Sequence, residues 1–242
     1  MRVYAIGDIH GHLDKLEEAH ARIAADRRGT GDAAAPVIHL GDYCDRGPDS
    51  RGVLQFLIDG QARGAPWITL RGNHDRVFLD QLDDAPGAPF RFWTSPGMGG
   101  LATAESYGVS LPGWTFAGLA ARKFRSAVPE AHHAFLKSLP LFHETETHIF
   151  VHAGIRPGLP LTEQIEEDLI WIRHEFLGDP RDHGKVIVHG HTPCETPEHW
   201  GNRINLDTGA GYGRALTAAV FEGTEVFVLG EAGRVPLRPR QG

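Results

Sequence analysis

Three apolar runs in the first seventy residues, 2–6, 36–40 and 66–70, each end at a glycine beside a polar side chain: Gly7-Asp8, Gly41-Asp42 and Gly72-Asn73. Five-residue runs bounded by such signals read as buried strands. Between the first two, Leu13, Leu16, His20 and Ile23 fall at helical spacing over 13–25, followed by a small-residue loop at 29–35. Between the second and third, Val53, Leu54, Leu57 and Ile58 follow Asp49 and Ser50, either of which can cap a helix that Gly60 and Gly64 close. Strand and helix alternating in this way predict βαβ units and an α/β fold. Side chains placed just beyond successive strands can then converge on one point.

The regular alternation stops at 83–128, where Pro86, Pro89, Pro96 and Pro112 intersperse with Gly87, Gly97, Gly99, Gly100 and Gly113. Continuous secondary structure is not expected there. Phe90, Phe92, Trp93, Tyr107 and Trp114 lie in the same stretch, which predicts an insertion packed over the domain, either as a lid or as a satellite cluster supporting the core. Beyond it a helix is expected at 130–138, a strand at 148–151 ending at His152, partial helix over 162–176, and strands at 185–188, 203–206, 215–221 and 225–229. The 242 residues read as a single domain, with 41% hydrophobic residues available for a core.

A net charge of -7 argues against broad affinity for nucleic acid, because phosphate backbones reward an excess of Lys and Arg. Phosphate would instead be gripped locally. No apolar stretch approaches the roughly 20 residues that span a bilayer, and two cysteines, Cys44 and Cys194, are too few for a disulfide scaffold. No membrane partner is expected, and the expected location is the cytoplasm. Cys44 is read as filling a small apolar gap.

Asp8 and His10 stand one residue apart at a strand end, pairing a hard carboxylate with an imidazole, a mixture that suits Mn, Fe or Zn better than Ca. Asp42 repeats the placement one strand later, and a carboxylate with two usable oxygens can bridge two cations about 3.5–4 Å apart. Asn73 offers a neutral carbonyl oxygen, His152 an imidazole, and so does one of His189 and His191. Period-2 alternation puts His189 and His191 on one strand face, so spacing does not choose between them. His74, directly after Asn73, is a candidate general acid, since imidazole titrates near neutral pH. The planar fork of Arg46 suits phosphate oxygens, whereas Arg71 is read as supporting its loop by ion pairing. His12, His20, His39, His132, His133, His143, His148, His174, His183 and His199 are read as ordinary core, helix and loop residues.

The ordered strings Gly7-Asp8-Ile9-His10-Gly11, Gly41-Asp42-Tyr43-Cys44-Asp45-Arg46-Gly47 and Gly72-Asn73-His74-Asp75, with His152-Ala153-Gly154 and Gly190-His191-Thr192-Pro193, resemble the phosphoprotein phosphatase family within the calcineurin-like metallophosphoesterases, in particular its small bacterial and phage members. The resemblance runs from residue 1 to about 223. It implies a metallophosphoesterase-type β-sandwich flanked by helices, with a dinuclear site at the strand ends. It implies two divalent ions, the first on Asp8, His10 and Asp42, the second on Asp42, Asn73, His152 and His191. It also implies that Asp45 orients His74, and that Arg46, Asn73 and Arg173 hold the phosphoryl group. Pro193 stands where the broader superfamily has a further histidine, which agrees with the phosphatase branch.

The implied activity is hydrolysis of phosphomonoesters by a metal-activated water, with a phosphoprotein or phosphorylated small molecule as substrate and Mn as the expected metal. A serine/threonine protein phosphatase is the first expectation, and a symmetrical diadenosine tetraphosphate hydrolase is the alternative. Asp45 favours the phosphatase, because the nucleotide enzymes commonly carry Ala there. Asp75 leans the other way, since eukaryotic phosphatases show Glu after Gly-Asn-His.

Overall fold

The computed structural model describes residues 2–110 and 116–240, so Pro112, Gly113 and Trp114 lie outside the described residues. The first third follows the strand and helix alternation: β1 (Arg2–Ile6), α1 (Leu13–Thr30), β2 (Val37–His39), α2 (Ser50–Ala62), β3 (Trp67–Thr69) and α3 (Asn73–Leu82). The insertion supplies α4 (Phe90–Trp93), α5 (Gly100–Ser106) and α6 (Ala117–Ala127), and α7 (Glu130–Ser138) leads to β4 (Phe142–Glu144) and β5 (His148–Val151). Then follow α8 (Glu166–Trp171), α9 (His174–Leu177), β6 (Val186–His189), β7 (Glu198–His199), β8 (Arg203–Asn205), β9 (Ala218–Glu222), β10 (Glu225–Gly230) and β11 (Gly233–Pro236).

These strands form two mixed sheets, ordered β11-β10-β9-β1-β2-β3 and β4-β5-β6-β8-β7. Strands β1, β2 and β3 are parallel, as are β5, β6 and β8. Side-chain alternation explains the layers. Val3 and Ala5 of β1 face a cluster shared with Phe150, Val188 and Ile204 of the other sheet. Tyr4 and Ile6 point the opposite way, onto Leu16, Ile23, Val53 and Leu57 of α1 and α2. On the second sheet, Ile149, Val151 and Ile187 turn outward onto Leu169, Ile170 and Phe176 of α8 and α9. The result is the expected sandwich flanked by helices.

Several local expectations are corrected. Helix α1 runs past residue 25 to Thr30, with Arg27 and Arg28 in its last turn, where they meet the negative end of the helix dipole, and Gly31 caps it at φ 71°. The insertion contains three helices where none was expected to be continuous. Its prolines punctuate the segment; Pro89, for instance, immediately precedes α4, where a missing N–H costs no helical bond. The short strands β4, β7 and β11 carried too little pattern to be read.

Gly60 lies within α2, two residues before its last residue Ala62, and a Cβ there would collide with the Trp67 ring. Trp67 is itself pinned, stacked on Phe56 at 5.3 Å and packed on His20 at 4.3 Å between ring centroids. Overpacking of this kind costs about 1–3 kcal/mol, more than the ~1 kcal/mol that alanine gains over glycine in a helix. Gly60→Ala therefore lowers the midpoint of denaturant unfolding. An unchanged or raised midpoint would show that Trp67 yields freely.

Candidate active site

The segments that follow β1, β2, β3, β5 and β6 bring ten of the singled-out residues together: Asp8, His10, Asp42, Asp45, Asn73, His74, His152 and His191 are buried, Arg46 is half-buried beside them, and Arg173, between α8 and α9, reaches in from an exposed position. Each loop leaves its strand sharply. His10, Asp42, Asp45, Arg46 and His191 all have positive φ, between 48° and 70°. Asp75 locks the β2 and β3 loops together, its carboxylate accepting from the backbone N–H of Asp42, Tyr43 and Gly72 at 2.8, 2.8 and 2.9 Å. Burial and the Asp42 charge push its carboxyl up to about 7 against those three bonds. Arg71 braces the same loop from outside through Glu166 at 3.0 Å.

The imidazoles are set by their outer nitrogens. His10 Nδ1 and His152 Nδ1 lie 2.9 Å from the carbonyls of Cys44 and Leu40. A carbonyl only accepts, so both Nδ1 atoms carry the proton and both Nε2 atoms keep a lone pair. His10 Nε2 is 3.5 Å from Asp42 Oδ2, and His152 Nε2 is 3.4 Å from Asp42 Oδ1 and 2.9 Å from Asn73 Oδ1. His191 Nδ1 is 2.8 Å from the same Asn73 oxygen. Burial holds His10 well below the ordinary histidine range and lowers His191 to about 2, so both are neutral.

His189 does not join this cluster. The period-2 expectation fails because β6 ends at His189 and the chain turns through Gly190 to His191 at φ 64°. His189 packs against the Phe176 ring at 5.2 Å instead, with Nδ1 on the carbonyl of Gly190.

The donor set fits divalent cations. Lone pairs on His152 Nε2, Asn73 Oδ1 and Asp42 Oδ1 crowd one point with no proton to share, an arrangement a cation resolves. Ligand atoms about 2.1 Å from a common ion stand roughly 3–3.5 Å from one another. Imidazoles that donate their second N–H to backbone carbonyls are the usual supported form of metal-binding histidine. Asp8 adds a further observation: Oδ2 accepts from the backbone of His191 at 3.0 Å, while the buried Oδ1 has no hydrogen-bond partner among the described residues. Burial, followed by the charges of Asp207 and Asp42, raises its carboxyl well above the carboxylate range. Three carboxylates that are at most 3% exposed need positive charge between them.

Asp207 is the residue that sequence reasoning missed. It stands two residues past β8 as Asp8 stands two past β1, but after Arg203-Ile204-Asn205-Leu206 and without a preceding glycine, so only its place at a strand end signalled it. Its Oδ1 accepts from Gly209 N–H at 2.8 Å.

Asp45 and His74 form a second unit. His74 Nδ1 donates to Asp45 Oδ2 at 2.8 Å, and Asp45 is fully buried. The insertion supplies the rest of its shell, from Trp93 Nε1 at 3.1 Å and Thr103 Oγ1 at 2.7 Å, both to Asp45 Oδ1. Burial opposes charging of His74, but Asp42 and the Asp45 hydrogen bond outweigh it and raise the imidazole above its ordinary value. Cys44 lies beside this unit with its thiol 3.7 Å from Asp75 Oδ1, so its pocket is less apolar than expected.

Both arginines donate to imidazoles: Arg46 to Nε2 of His10 and of His74 at 2.6 and 2.9 Å, and Arg173 to Nε2 of His191 at 3.0 Å. A guanidinium cannot keep its bond to His10 once that lone pair binds a cation, so Arg46 is poised to turn toward an incoming anion.

Two mixed sheets carrying carboxylates and imidazoles on the ends of their parallel strands define a phosphoester hydrolase of the two-metal kind. The chain belongs to the calcineurin-like phosphoesterase family, which matches residues 1–213. It is 28% identical over 230 residues to serine/threonine-protein phosphatase 1 of Salmonella typhimurium, covering 90% of each chain. It is 25% identical over 239 residues to the asymmetrical bis(5'-nucleosyl)-tetraphosphatase PrpE of Oceanobacillus iheyensis, covering 91% of this chain and 89% of that one. Among solved structures, a cold-active protein-tyrosine phosphatase of a psychrophilic Shewanella superposes with a TM-score of 0.63 at 16% identity, over 98% of this chain and 80% of the other. The protein is thus a metal-dependent phosphoesterase whose relatives differ in substrate. Among the described residues no helix is long and apolar enough to cross a membrane.

Proposed function

We propose that the protein is a phosphomonoesterase of the serine/threonine protein phosphatase type. The observation that carries this reading is the buried Asp45–His74 pair, 2.8 Å apart, whose imidazole faces the cluster from beside Asn73. An alkoxide leaving from phosphoserine or phosphothreonine is a strong base and needs a proton, which a charged imidazole held by a carboxylate can deliver. A nucleotide anhydride leaves as a phosphate and depends on that proton far less.

In this reading Asp8, His10 and Asp42 hold one divalent ion, and Asp42, Asn73, His152 and His191 hold the other. The ions, Mn in the first instance with Fe or Zn as substitutes, supply charge for the phosphoryl oxygens and an activated water. Arg46 and Arg173 release their imidazoles and take phosphoryl oxygens in their donor forks, aided by the Asn73 side chain. Asp45, fixed by Trp93 and Thr103, keeps His74 turned with Nε2 toward the leaving group. The free thiols of Cys44 and Cys194 support a reducing, cytoplasmic setting.

The test compares turnover of phosphoserine, phosphothreonine and phosphotyrosine peptides with that of diadenosine tetraphosphate by the Mn-loaded enzyme. The expected result is the highest kcat/KM on the phosphoserine or phosphothreonine peptide. A strong preference for diadenosine tetraphosphate overturns the proposal in favour of the nucleotide reading, which the resemblance to the tetraphosphatase keeps in view.

A further inference from the structure

A groove of 590 Å³ opens directly from the site, with Arg46 at its inner end. One wall is α5 and the turn before it, presenting Pro96, Leu101, Ala102 and Glu105; the other is the 209–214 loop, presenting Tyr212. Its volume lies within the range of small-ligand sites, roughly 300–1,000 Å³. Both walls are anchored. The backbone N–H of Arg46 donates to the carbonyl of Gly99 at 3.1 Å, and Lys15 Nζ donates to the carbonyls of Ala210 and Arg214 at 3.1 and 2.7 Å. Leu101 and Tyr212 are 38% and 60% exposed, large apolar surfaces that no described residue covers, beside a site that must admit substrate.

Building on the phosphatase reading, we propose that this groove seats an apolar side chain next to the phosphorylated residue of a peptide substrate, and so sets sequence preference. Arg46 is the hinge of the argument, because one residue grips the phosphoryl group and closes the groove. A peptide whose phosphate meets that guanidinium carries its neighbouring side chain about 3.3–3.6 Å per residue onward, along the Leu101–Ala102–Glu105 face of α5. Glu105 is the single acid among the described lining residues, and it disfavours an acidic neighbour beside it. A nucleobase fits less well. Tyr212 is the one aromatic ring among the described lining residues, so no aromatic sandwich forms among them, and Thr94 Oγ1 is spent on the carbonyl of Phe90.

The experiment uses the Mn-loaded enzyme and two phosphoserine peptides that differ only in Leu or Gly at the positions flanking the phosphoserine. The Leu peptide is expected to show about tenfold higher kcat/KM, the scale on which a small apolar group is discriminated, expressed mainly in KM. Leu101→Gln, a change at an exposed position, brings the ratio close to one. Equal rates on the two peptides in the wild type overturn the groove proposal while leaving the phosphatase reading intact. A preference that survives Leu101→Gln overturns the assignment to this groove. Failure to cleave either peptide alongside rapid cleavage of diadenosine tetraphosphate overturns both.

Discussion

His74→Asn lowers kcat on a phosphoserine peptide by about 10²–10⁴-fold, the contribution of a positioned general acid, and lowers it far less on an aryl phosphate whose leaving group is already stable as an anion. The asymmetry follows from what asparagine retains. Its amide can still donate to Asp45, so the carboxylate with Trp93 and Thr103 on it keeps a partner, and the backbone N–H of residue 74 can still reach Asp42 Oδ1, 2.9 Å away. What is lost is a proton that can be given up. Steady-state kinetics on the two substrates measure the difference directly. A uniform loss on both would assign His74 to binding, and an unchanged rate on the peptide would remove it from the reaction.

The second large effect is expected at Asp42. Its two oxygens stand 3.4 and 3.5 Å from imidazoles on opposite sides, His152 and His10, so it is the acid that faces both halves of the site. Asp42→Asn preserves the volume and the oxygen that accepts from His74, but removes the negative charge and one bridging atom. Loss of even an outer partner costs about 10–100-fold in metal affinity or activity, so removing the shared ligand should exceed the upper figure in turnover and reduce bound metal, measured by elemental analysis, below two ions per chain. Full turnover with two ions retained would dismantle the two-ion reading.

What the sequence disclosed follows from how local its signals are. The runs at 2–6 and 148–151 were legible to the residue, because four or three consecutive apolar side chains bounded by Gly-Asp or by His152 leave few alternatives. The convergence of Asp8, Asp42 and Asn73 was legible for the same reason, since each sits two to four residues beyond the end of a strand. Spacing could not separate His191 from His189, and only the resemblance of its motif chose His191; alternation describes a strand, and β6 ends at His189 before the left-handed turn at His191. The shell of Asp45 was illegible for another reason. Trp93 and Thr103 lie 48 and 58 residues away, in a segment whose prolines and glycines conceal its short helices. No periodicity joins residues that meet only through packing. Asp207 was missed because Arg203 and Asn205 interrupt the apolar run before it and no glycine precedes it.

The five residues with left-handed backbone, His10, Asp42, Asp45, Arg46 and His191, bear on how far the protein can be stabilised by engineering. Each holds a conformation that L side chains occupy at a cost on the order of 1 kcal/mol or more, and glycine would relieve every one. The sites with thermostability to gain are therefore those the proposed chemistry uses, a trade-off between stability and activity written into the backbone. Of the described non-glycine residues with positive φ, only Asp84 lies away from the cluster, on the loop after α3 where it pairs with Arg125. Selection for heat resistance is free to act there and is held back at the other five.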